Sequence, residues 1–460
     1  MTLLSEASFL VTPNGYKASK LYAAIPTNGN GDMTVTRATA ATIVDENGLV
    51  NYAEVLGSEL VTNGDYTNGL TGWFNSTSLP VQNFNVINQS LHFENTSGTV
   101  TFFSSASFSV DASKTYKFTI NTVKESGIDD FDITLRPSAG SPVVETITST
   151  HQSGLLEYYF TSASTQTLVI QFTQRNTIKA IIDNVSVKEA TRDNVPRIDY
   201  TGGGCPSILL EPLRTNIVLN SATVVTQTIT TAAVANTLSF YGTGTITLSG
   251  TFAEALVGTG ATNRVSLTFT PTAGSLVLTV SGTCTNGQLE EGAYPTSYIP
   301  TDDGARVTRN ADVINRNDIY TNKLITVAGG TWFVHLINNT AFTADSNIGA
   351  IYLDTSSAGY TNGLMLRKQT TGRIRLQTYV STTGSFIYTT TTDTVKILFK
   401  WNGATADVFV NGAKVVSATP FTSTNMQYLA SNSAIYALIK ETMLFPKPLD
   451  EDQCIALTTL

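Results

Sequence analysis

Apolar and polar residues alternate in short runs along almost all of the 460-residue chain, and Gly, Asn or Pro breaks the runs every few positions. A period of two places alternate side chains on one face, which suits a half-buried β-strand and not a helix. Tyr116-Lys117-Phe118-Thr119-Ile120 and Thr245-Ile246-Thr247-Leu248-Ser249 show the pattern plainly. Many short strands joined by turns are the signature of sandwiches and jelly rolls. The expected fold class is all-β, with serial β-sandwich or jelly-roll domains, a small split N-terminal base and a short C-terminal helix.

Apolar residues make up 41% of the chain, enough for several cores and too many for a disordered polymer. A net charge of −8 argues against a nucleic-acid surface. The three cysteines (Cys205, Cys284, Cys454) are far apart and show no CxxC spacing, so buried free thiols are expected rather than a disulfide framework or thiolate metal site. The N-terminal MTLLSEASFLVTPNG lacks the basic region of a secretory signal. No apolar run approaches the ~18 residues of a membrane helix. The chain therefore reads as made in the cytoplasm, without membrane insertion, although its composition is that of extracellular β proteins.

Residues 1–56 hold few large apolar side chains and should lean on a later domain, other subunits or a docking partner. Residues 57–190 contain about eight strand candidates and read as a complete sandwich. Asn194 to Asn216 (NVPRIDYTGGGCPSILLEPLRTN) surrounds the apolar run Ile208-Leu209-Leu210 with Gly202-Gly203-Gly204, Pro206 and Pro212, which forbid a helix through it. It is either a crossing between domains or the return half of a base begun near the N-terminus. In the second case Thr36–Val50 and Ile208–Leu210 should meet. Glu211 and Arg214 are three apart, so an ion pair is expected. Residues 217–305 look like a smaller sandwich. Arg306 to Val313 (RVTRNADV) echoes Val35-Thr36-Arg37-Ala38. The strands of residues 306–460 include Thr331 to Ile337 and two that run into Asn-Gly turns, and Asp450 should cap a helix from Glu451 to Leu457.

Glu59 to Trp73 (ELVTNGDYTNGLTGW), closed by Ile181 to Val187 (IIDNVSV), resembles the jelly-roll carbohydrate-binding modules found beside bacterial glycanases. The resemblance implies a structural Ca²⁺ held through Asp65 and Asp183, although the acidic residue usual after the aromatic is Thr67 here. Turn and capping aspartates are the other reading. Trp73 would stack on a sugar or belong to the core.

Thr39 to Val50 (TAATIVDENGLV), the Asn194–Asn216 stretch and Gln288 to Thr301 (QLEEGAYPTSYIPT) resemble segments of bacteriophage virion proteins, in which the first runs almost directly into the second. Here about 140 residues separate them. KWNG at Lys400 with DVFVNGAKV at Asp407, ending in Met443 to Thr458 (MLFPKPLDEDQCIALT), resembles the concanavalin A-like (laminin G-like) jelly roll at the C-terminus of many phage proteins. The implied layout is an N-terminal base or attachment segment (1–56), an inserted carbohydrate-binding-module-like jelly roll (57–190), the return half of the base (191–216), a small sandwich (217–305) and a concanavalin A-like domain (306–460).

No catalytic constellation emerges. His92, His151 and His335 are scattered, and GxSxG, HExxH, Walker A and paired-carboxylate glycanase strings are missing. Shallow glycan sites use exposed aromatics beside Asn, Asp and Gln. Trp73, Tyr352, Asp354, Tyr360, Tyr379 and Tyr388 are the candidates, with Phe386 nearby. The expectation is a non-enzymatic bacteriophage virion protein, a head- or tail-fibre-like decoration. It would be a homotrimer that attaches to capsid, tail or baseplate proteins and adheres to host-surface or environmental glycans. The alternatives are a secreted or surface glycan-acting enzyme and a purely structural spacer.

Overall fold

The computed structural model describes residues 3–75, 82–95, 100–127, 131–148, 153–174, 177–337, 350–357, 361–369, 371–422 and 425–460. Tyr360 and His151, and the side chain of Phe386, lie outside the described residues. The chain is all-β, with one short α-helix among the described residues, at its C-terminal end. It divides into two compact units, one formed by Met1–Ala53 with Arg192–Leu460, the other by Glu54–Thr191.

The Glu54–Thr191 unit has two sheets. One carries the long strands Thr115–Gly127 and Ile178–Thr191, flanked by Gly154–Thr161 and Ser90–Asn95. The other is built on Phe131–Arg136 and Gln166–Gln174. Alternation along Thr115–Gly127 sends Tyr116, Phe118 and Ile120 into a shared core with Phe93, Phe103, Phe172 and Val187. Fully burying an aromatic or large aliphatic side chain contributes about 1.5–3 kcal/mol, so this unit has a core of its own. Gly64 closes it. A Cβ at that position would lie 1.8 Å from the Val185 carbonyl oxygen, and the Val185 N–H donates to the Gly64 carbonyl at 2.9 Å.

In the other unit, Phe9–Lys17, Lys20–Ile25 and Met33–Thr36 form a meander that enters the last sandwich. Phe9 pairs with Leu444 in Ala437–Phe445, and Thr36 pairs with Val313 in Val313–Arg316. Phe9, Val11, Leu21, Met33 and Val35 join a core with Trp332, Phe399 and Trp401. The N-terminal segment thus leans on a later domain, one of the three supports its sequence left open. Ser207–Leu210, buried at all four positions, adds to the far part of the same strand through Ile208 opposite Ile439. The apolar run between Pro206 and Pro212 is therefore a core strand.

The small sandwich packs sheets built on Thr245–Gly250 with Gly274–Ser281 and on Asn236–Gly242 with Gly260–Phe269 around Leu238, Phe240, Ile246, Leu248 and Leu289. In the last sandwich the Asn411-Gly412 turn has φ of 48° and 81°, the left-handed pair that a type I′ hairpin demands. Helix Glu451–Thr458 starts with a capping box between Asp450 and Gln453. Cys284 and Cys454 are buried free thiols, whereas Cys205 is exposed, because it follows a glycine turn that projects from the surface. Hydrogen bonds from Thr36–Val50 reach Asp199 and Tyr200, in and beside the strand that pairs with Ile208, and of Ile208–Leu210 it is Leu209 that shares a cleft with Ile43 and Val44. Val44 N–H donates to Asp199 Oδ2 at 2.9 Å, and Tyr200 N–H donates to the Val44 carbonyl at 2.9 Å. The expected Glu211–Arg214 pair is replaced. Glu211 turns inward to Arg197 and Arg309, and Arg214 lies 3.5 Å from Glu290.

Candidate functional site

The segments Thr39–Val50, Asn194–Asn216 and Gln288–Thr301 line one cleft of about 210 Å³. Thr42, Ile43, Val44 and Val50 come from the first segment; Asp199, Thr201, Leu209 and Glu211 from the second; Pro295 to Tyr298 from the third. Tyr241 and Arg264 add the small sandwich, and Tyr436 and Leu438 the last one. Local pairing explains these positions. Ile198–Asp199 pairs with Ser207–Leu210, and Leu209 sits opposite Leu438. Tyr241 sits opposite Arg264 on adjacent strands, so their side chains share a face. The Thr42 hydroxyl donates to the Tyr298 carbonyl.

Behind one wall lies a fully buried charge network. Arg37 donates to Asp312 at 2.8 Å, Arg197 to both Asp312 and Glu211, and Arg309 to Glu211 at 2.6 Å. The Ser297 hydroxyl accepts from Arg197 and Arg309 and donates to Glu211 at 2.7 Å. Burial would raise the Glu211 carboxyl, but Arg309 and Arg197 outweigh it and hold it at about 2. Asp312 is lowered for the same reason: Arg197, Arg37 and Arg309 overcome its desolvation. Glu211 is thus a fixed anion and cannot serve as a proton donor near neutral pH.

Around the cleft, Tyr298 and Tyr436 are largely buried. Burial pushes the Tyr298 phenol up to about 12, and its hydroxyl meets Ser221 Oγ at 2.7 Å. Burial likewise raises Tyr436 well above its ordinary value, so both rings stay neutral. Asp199 accepts from Val44 N–H and Thr201 N–H. Arg264 donates to the Thr296 carbonyl at 2.6 Å and to Ser239 Oγ at 2.8 Å. Neutral aromatic walls with hydroxyl, carboxylate and guanidinium groups can hold a small polar molecule that has one apolar face.

Those candidates read from the sequence that are among the described residues lie elsewhere. Trp73 is 4% exposed, stacked between Phe103 and Phe172 at 5.6 and 5.7 Å, and its indole N–H donates to the Asn63 carbonyl. It is core, since a sugar platform needs an open ring face. Tyr352 and Tyr379 are also buried, in one small cluster with Met365. Asp354 is 1% exposed and organises its own loop, accepting from the N–H groups of Ser356, Thr361 and Asn362. Tyr388 is half-buried against the main core.

Asp65 accepts from Thr67 N–H and its hydroxyl, and Asp183 from Ser90 and Asn184 N–H. Asp65 caps its own turn, whereas Asp183 lies within the Ile178–Thr191 strand, on the two segments that Gly64 and Val185 lock together. Calcium takes 6–8 oxygen ligands, of which these carboxylates would supply part. Among the described residues no group of three His, Cys, Asp or Glu side chains could hold a metal.

Nothing local marks Tyr241, Arg264 or Tyr436, which reach the cleft through tertiary pairing. Asp199, Glu211 and Tyr298 lay inside quoted segments, but nothing local marked them as neighbours.

No protein-family model matches the chain, and no curated protein matches it. Among solved structures, the CBM40 of Ruminococcus gnavus IT-sialidase bound to alpha2,3 sialyllactose is similar over 32% of this chain and 92% of that one, at 12% identity and a TM-score of 0.24. The NanB sialidase of Streptococcus pneumoniae is similar over 31% of this chain and 26% of that one, at 14% identity and a TM-score of 0.22. Likeness at this level assigns neither a family nor a ligand.

Proposed function

We propose that this chain is a non-catalytic, structural protein of a bacteriophage particle, a head- or tail-fibre-like appendage that attaches to other virion proteins and adheres to glycans. The observation that carries the binding half is the cleft. Three segments that resemble phage proteins converge on it with neutral tyrosine rings and polar groups suited to a sugar. The acidic residues there support a binding role over a hydrolytic one, because Glu211 is held ionised by two arginines and Asp199 is engaged by backbone N–H groups. The virion half is supported by the sequence resemblance, and it includes self-association as a trimer. A structural calcium at Asp65 and Asp183 belongs to the same reading.

The test is a glycan array probed with the full chain, alongside antibody labelling of intact particles of the phage that encodes it. Binding on the array with decorated particles is the expected result. Labelled particles without glycan binding leave the purely structural spacer. Undecorated particles overturn the virion assignment. Sedimentation of the purified chain reads the oligomer directly.

A further inference from the structure

We infer that the cleft takes a single sugar residue bearing a carboxylate, and that Arg264 selects it. The inference rests on the glycan-binding reading and narrows its ligand class.

The charges around the cleft lead to it. Glu211 is neutralised by Arg197 and Arg309. In the network behind the wall, three arginines face Glu211 and Asp312, with Asp193 acting on Arg37 and Glu290 on Arg309. Arg264 remains. Its two recorded partners are a carbonyl and a hydroxyl, so its positive charge meets no carboxylate, and two of the five guanidinium N–H donors are engaged. A guanidinium in such a position is built for planar, two-pronged recognition of an oxyanion. Tyr241, directly across from it, offers a half-buried ring on the same face. A volume of about 210 Å³ accommodates one ring rather than an extended chain. A pyranose with a carboxylate meets each demand: its C–H face against tyrosine, its hydroxyls toward Asp199 and Thr201, its acid group on Arg264.

The full chain should be titrated with methyl glucuronoside, with its uncharged amide, and with methyl glucoside, followed by ligand-observed NMR. The acid should bind, and the amide and the neutral sugar should bind about tenfold more weakly, the loss of one charge-assisted contact. R264Q should lower acid binding by a similar factor, while R264K retains part of it. T201W, at an exposed position lining the cleft, should block it and serves if R264Q fails to fold. Equal binding of acid and amide would overturn carboxylate selection and leave the glycan reading intact. Full acid binding by a folded R264Q or by T201W would overturn the placement in this cleft. A positive glycan array with none of the three probes binding would place the sugar site elsewhere and overturn the inference alone.

Discussion

Arg37 donates to the carboxylate of Asp312 across 2.8 Å, although 275 positions separate them in the chain. Both are buried, and Arg197, Glu211 and Arg309 complete the network. Burial of ions is costly, and removing one partner leaves a charge uncompensated, typically at about 3–5 kcal/mol. Arg197→Met should therefore unfold at markedly lower urea, because Asp312 and Glu211 lose the guanidinium they share and with it buried charge-assisted hydrogen bonds that no water replaces. Urea midpoints compared with an exposed-pair control such as Lys114→Met check this. A shift as small as the control's would mean that water reaches the network.

The same network sets the response to acid. Glu211 has an ordinary value of 4.5 and is held at about 2, and Asp312 is also depressed. A group with a depressed folded value contributes stability above its unfolded value and loses it as pH falls through the folded one. Glu211 alone corresponds to on the order of 3 kcal/mol. Stability should thus fall between about pH 4.5 and 2. Glu211→Gln should flatten that part of the profile while lowering stability at neutral pH. Chemical denaturation across pH 2–7 reads both effects.

Gly64 is placed by contact, since any Cβ would meet the Val185 carbonyl. Gly64→Ala forces the turn off the Ile178–Thr191 strand, with an overpacking cost of about 1–3 kcal/mol. Hydrogen exchange should rise in Thr115–Gly127 and Ile178–Thr191 while Gly330–Ile337 keeps its protection. Uniform loss of protection would show that the two compact units unfold as one.

The proposed calcium has its own measurement. If Asp65 and Asp183 share an ion, EGTA should lower the melting temperature of the Glu54–Thr191 unit, and added Ca²⁺ should restore it. Asp183→Asn should abolish the response. A melt indifferent to both additions leaves Asp65 as a turn cap and Asp183 as a strand residue that accepts from Ser90 Oγ and Asn184 N–H, the roles their present contacts describe.

Period-two alternation made the strands around Tyr116 and Thr245 legible, and Asn-Gly at 411–412 marked its own turn. The faint echo of Val35-Thr36-Arg37 in Val307-Thr308-Arg309 has a physical counterpart, since Arg37 and Arg309 enter one buried network. Trp73 stayed open between core and sugar platform, because a tryptophan beside a turn has the same local pattern whether its face is covered or open. Arg264 was not legible as a cleft residue, because it sits in an ordinary alternating strand and only Thr296 and Ser239, both distant in sequence, orient it.

Least legible was the pairing of Phe9 with Leu444, since strand partners at opposite ends of a chain leave no local trace. Phe9 is fully buried between Ala437–Phe445 and the Trp332 core. Phe9→Ala removes that ring from a packed interior, at about 3–5 kcal/mol. Loss of the meander would also uncover one side of Ala437–Phe445, and an unpaired strand edge invites association between chains. Phe9→Ala should therefore lower the melting temperature and raise light scattering on warming, whereas Leu4→Ala, at a position 49% exposed, should do neither. A Phe9→Ala chain that melts like the parent would mean that the N-terminal strands add little to the sandwich they complete.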